Sequence, residues 1–344
     1  MPELIVTNFN SNFTGVSATA AGVVRQQAGR FDMALAGHAL PGCPAPISRA
    51  EAIRASRRAP EGRPFTIWHV RRNTEMRAAL WARDVLRLPV KIVFTSAAIR
   101  RHSAFPRWLI SRMDAVIATT EEAARFVPHV RAVVPHGVDV ARFAPAEDRE
   151  SAWRDTGFPG TRGIATIGRI RPEKGTDRFV GAMLDLLPHH PDVTALVIGR
   201  AAKSDQAFLQ TLKSRIAAAG LAGRVLFPGE IPPDELPALM RTLSAVVQLP
   251  RYEGYGMAPL EGMASGVPFV ATDQGYYRAF SGQGTCGTIT SETGAADALH
   301  GLLSNPERHA RMARAAREAA ESHFSISREA DGISAVYETL WSKG

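Results

Sequence analysis

The residues best suited to chemistry lie in the segment 250–268, which reads Pro-Arg-Tyr-Glu-Gly-Tyr-Gly-Met-Ala-Pro-Leu-Glu-Gly-Met-Ala-Ser-Gly-Val-Pro. Gly254 and Gly256 let a ligand approach the backbone, and Pro259 suits the first turn of a helix. The free N–H groups of Gly256, Met257 and Ala258 would then form an anion site at a helix N-terminus, with phosphate as the natural ligand. Glu253 and Glu261 stand eight positions apart, one in the loop and one inside the helix. They could accept hydrogen bonds from hydroxyls at two ends of one ligand, and a sugar nucleotide has hydroxyls on both its hexose and its ribose. The same residues also fit a glycine-rich helix entry with solvent-facing glutamates. A second cluster, 167–175, reads Ile-Gly-Arg-Ile-Arg-Pro-Glu-Lys-Gly. If its loop folds back, Arg169 and Lys174 meet on one anion and stabilise charge building on a departing diphosphate.

Such groups must be placed by regular elements, and the chain supplies two series of them. Short apolar runs at 4–7, 33–36, 65–68, 91–95 and 115–118 alternate with helical stretches, the pattern of βα units building a parallel sheet. An irregular stretch with Pro145, Gly157, Pro159 and Gly160 follows, and it suggests a domain junction. A second series has expected strands at 163–168, 193–199, 224–227, 245–249 and 268–272. Expected helices cover 177–187, 205–219, 233–243 and 258–265, then about 306–322. The reading is α/β, with a Rossmann-like domain over 1–155 and another over 156–325. A C-terminal helix over 326–344 is expected to pack back on the first. Doubly wound sheets bind ligands beyond the carboxyl ends of their strands, so two in tandem predict a site in the cleft between them.

The 344 residues carry a net charge of +8, all of it in residues 1–150, which hold 21 basic against 13 acidic residues. Residues 49–112 alone hold 15 and 4. The N-terminal half is therefore expected to meet something anionic. Basic residues are 36 Arg and 5 Lys, a bias that fits bidentate recognition of phosphate or carboxylate, or equally an Arg-rich codon usage. Cys43 and Cys286 lie in different halves without metal-ligand spacing, so neither a disulfide scaffold nor a zinc site is expected. No apolar run approaches the ~20 residues that span a bilayer.

Together the segments 167–175 and 253–268 resemble the retaining GT-B glycosyltransferases of glycosyltransferase family 4. That family shows Gly-Arg-(x)n-Lys-Gly followed by Glu-x7-Glu, and here Gly262 stands at a usual Ala. The resemblance implies two Rossmann-like domains facing a cleft, with a nucleotide sugar held by the second and the acceptor by the first. It implies that Glu261 binds the ribose, Glu253 the transferred hexose, and Arg169 with Lys174 the diphosphate, with the base near Phe227, Pro228 and Gly229. Gly254, Tyr255, Gly256, Met257 and Ala258 would line the donor, and Gly15, after the first strand, would approach it. The segment 135–139, Pro-His-Gly-Val-Asp, is similar to the family's Pro-Asn-Gly-Val-Asp hinge. The family's catalytic His has no counterpart in the loop 96–97; His69, after the run 65–68, and His102 are the candidates.

The segments 6–20 and 36–43 are similar to bacterial lipopolysaccharide-core mannosyltransferases, which implies GDP-mannose as donor and a Kdo-lipid A type acceptor. The carboxylates and phosphates of such an acceptor connect with the basic half. Arg57, Arg58, Arg71, Arg72, Arg100 and Arg101 are the expected acceptor and membrane contacts, on a cytoplasmic protein peripheral to the inner face of the inner membrane. The alternative within the family is another nucleotide sugar and another anionic or lipid-linked glycan. A nucleic-acid-binding protein is the rival class, but aromatic residues are not interleaved with the basic cluster. A dinucleotide-dependent oxidoreductase would need Gly-x-Gly-x-x-Gly after the first strand, where 10–15 holds one glycine. A GT-B phosphorylase would need pyridoxal phosphate on one of few lysines. No Asp-x-Asp triplet occurs, so neither a metal nor another cofactor is expected.

Overall fold

A computed structural model describes residues 1–343. The chain divides into two compact units, residues 1–137 with the C-terminal segment from Phe324, and Val138–His323.

The first unit holds six parallel strands: β1 (Leu4–Asn8), β2 (Met33–Gly37), β3 (Thr66–Val70), β4 (Val90–Ser96), β5 (Ala115–Ala118) and β6 (Val130–Val133), in the order β2-β1-β3-β4-β5-β6. The central strands are buried along nearly their whole length, as expected where helices cover both faces of a parallel sheet. On one face Trp68, Met76, Leu109 and Ile110 pack together; on the other Val23 and Val24 of the helix Gly15–Gln27 meet Ile333, Val336 and Tyr337 of the helix Ile326–Trp341. Gly22 makes that second contact close, since a Cβ there would lie 2.9 Å from Ile326 Cδ1. The C-terminal helix thus belongs to the first unit, and its expected end at residue 344 lies outside the described residues.

The second unit repeats the plan with β7 (Arg162–Ile167), β8 (Val193–Ile198), β9 (Val225–Gly229), β10 (Leu243–Gln248), β11 (Phe269–Ala271) and β12 (Gly287–Ile289), in the order β12-β11-β10-β7-β8-β9. Chain order reverses between β7 and β10, the switch point beyond whose carboxyl ends such sheets bind ligands.

The boundary lies earlier than the expected 155/156. The helix Arg149–Asp155 sends Trp153, fully buried, onto β7, where the ring occupies the space beside Gly163. A Cβ at Gly163 would be 1.9 Å from that ring. Residues 138–155 are therefore part of the second unit's core.

Candidate functional site

The two sequence clusters emerge from the two strands that flank the switch point of the second sheet. From β7 the chain runs through Gly168 and Arg169 into a short 3-10 turn, Pro172–Lys174; from β10 it runs through Pro250 into the glycine-rich loop. Gln248 binds the strand ends together, its buried amide donating to the carbonyl of Ile167 at 3.0 Å. The loops are strapped to each other by Arg251, whose N–H donates to the Glu173 carbonyl at 2.9 Å and whose guanidinium grips Asp177 at 2.8 and 2.7 Å. Gly175 permits the close approach: at φ +69°, it lies where a Cβ would be 1.8 Å from the Leu249 carbonyl oxygen.

Held this way, Lys174 Nζ donates to Glu253 Oε2 at 2.6 Å, and Gly254 N–H donates to Glu253 Oε1 at 3.1 Å. Both side chains of the ion pair are about three-quarters buried or more. Arg169 is exposed beside them without an ion-pair partner among the described residues. With Lys174, Thr166, Gly168, Thr176 and Gln248 it lines a small recess at the ends of β7 and β10. An ammonium has three donors, and Glu253 uses one, so Lys174 remains competent to hold an anion in that recess.

The loop then turns at Gly256, φ +93°, into the helix Met257–Ala264. A Cβ at Gly256 would meet the Tyr277 ring at 2.1 Å, so only glycine fits. The N–H groups of Met257 and Ala258 sit in the first turn, where no intrahelical acceptor exists. Tyr255 is buried, stacked on Tyr276 at 5.2 Å and edge-on to Phe280, so its ring props the loop from behind. Tyr277 beneath is fully buried, and burial together with the Glu253 charge holds its hydroxyl well above the ordinary tyrosine range.

Glu261 lies on the next turn of that helix. Its carboxylate accepts no hydrogen bond from the described residues, and loss of hydration pushes its pKa up to about 7 against the pull of Arg142. A half-buried carboxylate left unpaired is a group built to accept bonds from something else. Pro228 and Gly229 end β9, two strands from β7, with Gly229 at φ +91° and its carbonyl accepting from Gly199 N–H at 2.8 Å.

In the first unit the structure corrects several expectations. His69 is fully buried, hydrogen-bonded through Nδ1 to the Tyr337 hydroxyl and through Nε2 to Thr95 Oγ1 at 2.7 Å. Burial and the nearby Arg71 charge hold it well below the usual histidine pKa. Both nitrogens are committed inside the core, so it is a neutral structural residue and not a catalytic one. Arg71 is not on the surface either. Its guanidinium nitrogens are buried without hydrogen-bond partners among the described residues, and burial lowers its pKa against the pull of Tyr337, Glu329 and Glu75. Arg72 is occupied in ordering the first loop, donating to Asn8 Oδ1 at 3.0 Å, Glu75 Oε1 at 2.9 Å, Thr14 Oγ1 at 3.2 Å and Ser17 Oγ at 2.9 Å.

That network presents Gly15 at the first helical position, where a Cβ would meet nothing within 4 Å. Arg57, Arg58, Arg100 and Arg101 are exposed. His102 is half-buried, with Nε2 unpartnered. Sequence reasoning missed Gln248, Arg142 and the anchoring role of Arg72. A polar residue ending an apolar strand, and the three-residue spacing from Arg72 to Glu75, were the available signals. It also left His136 unexplained: His136 Nδ1 and Gly137 N–H each meet the buried Glu329 carboxylate at 2.7 Å, pinning the outgoing chain to the C-terminal helix.

Comparison with known proteins places these features in context. A family model described as "Glycosyl transferases group 1" matches residues 148–319. The lipopolysaccharide core biosynthesis mannosyltransferase LpsB of Rhizobium meliloti (strain 1021) is 41% identical over 350 residues, covering 98% of this chain and 97% of that protein. The lipopolysaccharide core biosynthesis mannosyltransferase LpcC of Rhizobium leguminosarum bv. viciae is 37% identical over 343 residues, covering 98% and 96%. The crystal structure of Anabaena HepE in complex with UDP and glucose is similar with a TM-score of 0.83 at 17% identity, covering 99% of this chain and 100% of that one. At that identity the likeness shows the fold alone, which is GT-B.

Proposed function

The chain belongs to the glycosyl transferases group 1 family, and on that premise we propose that it moves mannose from GDP-mannose to the inner core of lipopolysaccharide, on an acceptor of the Kdo-lipid A type, with retained anomeric configuration. The observation that carries the reading is the Lys174–Glu253 pair at the switch point of the second sheet. Support for the sugar and the acceptor comes from the two rhizobial relatives, both named as lipopolysaccharide core mannosyltransferases.

In this reading the diphosphate sits against Arg169, Lys174 and the N–H groups of Met257 and Ala258. Glu253 accepts from the hexose hydroxyls, Glu261 from the ribose, and Pro228 and Gly229 flank the base. The barrier to transfer lies in parting an oxocarbenium-like carbon from its leaving group. Cations fixed on the phosphates lower it, because they meet charge that grows only as the bond breaks. The anomeric carbon–phosphate oxygen bond breaks, the bond to the acceptor oxygen forms on the same face, and the departing diphosphate takes the acceptor proton. Lys174, Arg169 and backbone dipoles carry the neutralisation, and no metal is invoked.

The acceptor's carboxylates and phosphates account for the basic first unit, with exposed Arg57, Arg58, Arg100 and Arg101 as its contacts. Among the described residues no helix is long and apolar enough to cross a membrane, which suits a protein working from the cytoplasmic face of the inner membrane. Thermal-shift titration with GDP-mannose, UDP-glucose and ADP-glucose, followed by transfer assays on Kdo-lipid A, tests the reading. A bound donor stabilises by RT ln(1 + [L]/Kd). Stabilisation and turnover with GDP-mannose are expected; a response confined to a UDP- or ADP-sugar would replace the donor assignment.

A further inference from the structure

We propose that the helical face formed by residues 77–86 and 104–112 of the first unit is a membrane-docking surface that seats on an anionic lipid bilayer. Five of the eight exposed large hydrophobic residues lie there: Trp81, Val85, Leu86, Phe105 and Trp108, with Val85 63% and Trp108 56% exposed. Trp81 and Val85 sit on the π-helical turn Trp81–Val85, and Phe105 and Trp108 stack on the helix Ala104–Ser111 with centroids 6.1 Å apart. Phe105, Trp108 and Arg112 follow at i, i+3 and i+7, so they share one helix face. Arg112 donates to Asp84 of the π turn at 3.2 Å, which joins the two apolar rows into one surface.

The core does not need these side chains. The same helices already bury Ala79, Leu80, Ala82, Leu109 and Ile110 against the sheet, so the outward row is apolar surface beyond what folding uses. Its electrostatics select the occupant. The face, with Arg87 just beyond it, holds five basic residues, Arg77, Arg83, Arg87, Arg107 and Arg112, and one acidic residue, Asp84, which is taken by Arg83 and Arg112. Arg77 and Arg87 are exposed, Arg107 is partly so, and none of the three has an ion-pair partner among the described residues. A second copy docking through this face would set like charges against each other. Nucleic acid would neutralise the arginines but leave Val85 and Leu86 in water. A bilayer interface accepts both, with rings and aliphatic side chains among the upper acyl chains and guanidinium groups at the phosphates. The proposal rests on the membrane-borne acceptor argued above for the reason such a surface exists.

Its test uses the intrinsic fluorescence of the full chain. Of the five tryptophans, Trp68, Trp153 and Trp341 are at most 5% exposed, so Trp81 and Trp108 are the reporters. Vesicles of phosphatidylcholine with one-third phosphatidylglycerol are expected to shift emission to the blue, to quench it when brominated, and to sediment the protein; pure phosphatidylcholine does so at least tenfold more weakly. The triple variant Trp81→Ser, Phe105→Ser, Trp108→Ser should lose at least tenfold in sedimentation with unchanged melting temperature. Arg77→Glu with Arg107→Glu should weaken binding and flatten its salt dependence. Undiminished vesicle binding by the triple variant overturns the proposal. So does self-association, or RNA binding, that the triple variant abolishes while vesicle binding stays absent throughout. Transfer to a deacylated, water-soluble acceptor is expected to be equal in parent and variant. Its absence in both would sink the donor and acceptor reading without touching the vesicle result.

Discussion

Lys174 Nζ and Glu253 Oε2, 79 positions apart in the chain, lie 2.6 Å from each other at the ends of β7 and β10. The pair is possible because those strands are neighbours only at the switch point of the sheet, and because Gly175 lets one loop press on the other. If Lys174 serves the leaving diphosphate, Lys174→Ala should lower kcat/KM by about 10²–10³-fold, the cost of removing a fixed charge stabiliser. Glu253→Ala should do at least as much, since it removes the group that orients Lys174 and, in the proposed reading, a hexose contact. Both variants should keep a cooperative melt within a few degrees of the parent. Near-normal turnover in either would show that the pair only joins loops.

Glu261 gives the site a pH dependence with two opposite readouts. Its carboxyl titrates near 7 in the folded chain against an ordinary 4.5. A carboxyl raised by folding contributes stability that is full below pH 4.5 and lost by about pH 7. Glu261→Gln, neutral throughout, should therefore be more stable than the parent at pH 8, by about 2 kcal/mol given its partial exposure, with the difference gone at pH 4.5. If Glu261 holds the donor's ribose as proposed, donor binding runs the other way, because the ionised carboxylate is the stronger acceptor for two hydroxyls. Calorimetric titration should show affinity falling about tenfold from pH 8 to pH 6, and the glutamine variant should be weak and flat across that range.

His69 separates a structural role from a chemical one. His69→Ala leaves the Tyr337 hydroxyl and Thr95 Oγ1 without their partner in a dry core, which costs about 3 kcal/mol. A fall of roughly 6–10 °C in melting temperature is expected, with kcat of the folded enzyme within a factor of a few of the parent. A loss of kcat beyond a hundredfold with an unchanged melt would restore a catalytic role. Because burial depresses its pKa, the contribution of His69 is present at neutral pH and is lost as pH falls below the ordinary histidine range.

The segment 253–261 was legible as a candidate site because its residues are close together in the chain. Glycines, a helix start and two carboxylates fall within 253–261; the spacing left a ligand site and a plain helix entry both open, and the fold adds Lys174 against Glu253. Strands buried on both faces, such as β3 and β8, announce themselves as apolar runs. The edge strands β6 and β12 do not. They are four and three residues long and only partly buried, so they lack the continuous run that marks a central strand. Two arginines of the basic cluster misled for a different reason. Arg71 and Arg72 look alike in sequence, and only the fold shows Arg71 buried and Arg72 spent on Asn8, Thr14, Ser17 and Glu75. The early end of the first unit was hidden likewise, since Trp153 reveals its allegiance only through the space left at Gly163.

Gly175 offers a test of how the site is held, and Gly220 supplies its control. Both are left-handed, at φ +69° and +71°, but a Cβ at Gly220 meets nothing within 4 Å, whereas one at Gly175 would lie 1.8 Å from the Leu249 carbonyl oxygen. Gly220→Ala should therefore cost only the conformational penalty, about 1–2 kcal/mol. Gly175→Ala adds a backbone collision that no rotamer relieves, so the loop carrying Lys174 must move away from β10. Its melting temperature should fall further than that of Gly220→Ala. Its kcat should also drop by an order of magnitude or more, because a displacement near 1 Å is enough to misplace a charge on the leaving group. Equal losses of stability, with kcat untouched in both, would mean that the packing of Gly175 on Leu249 does not position Lys174.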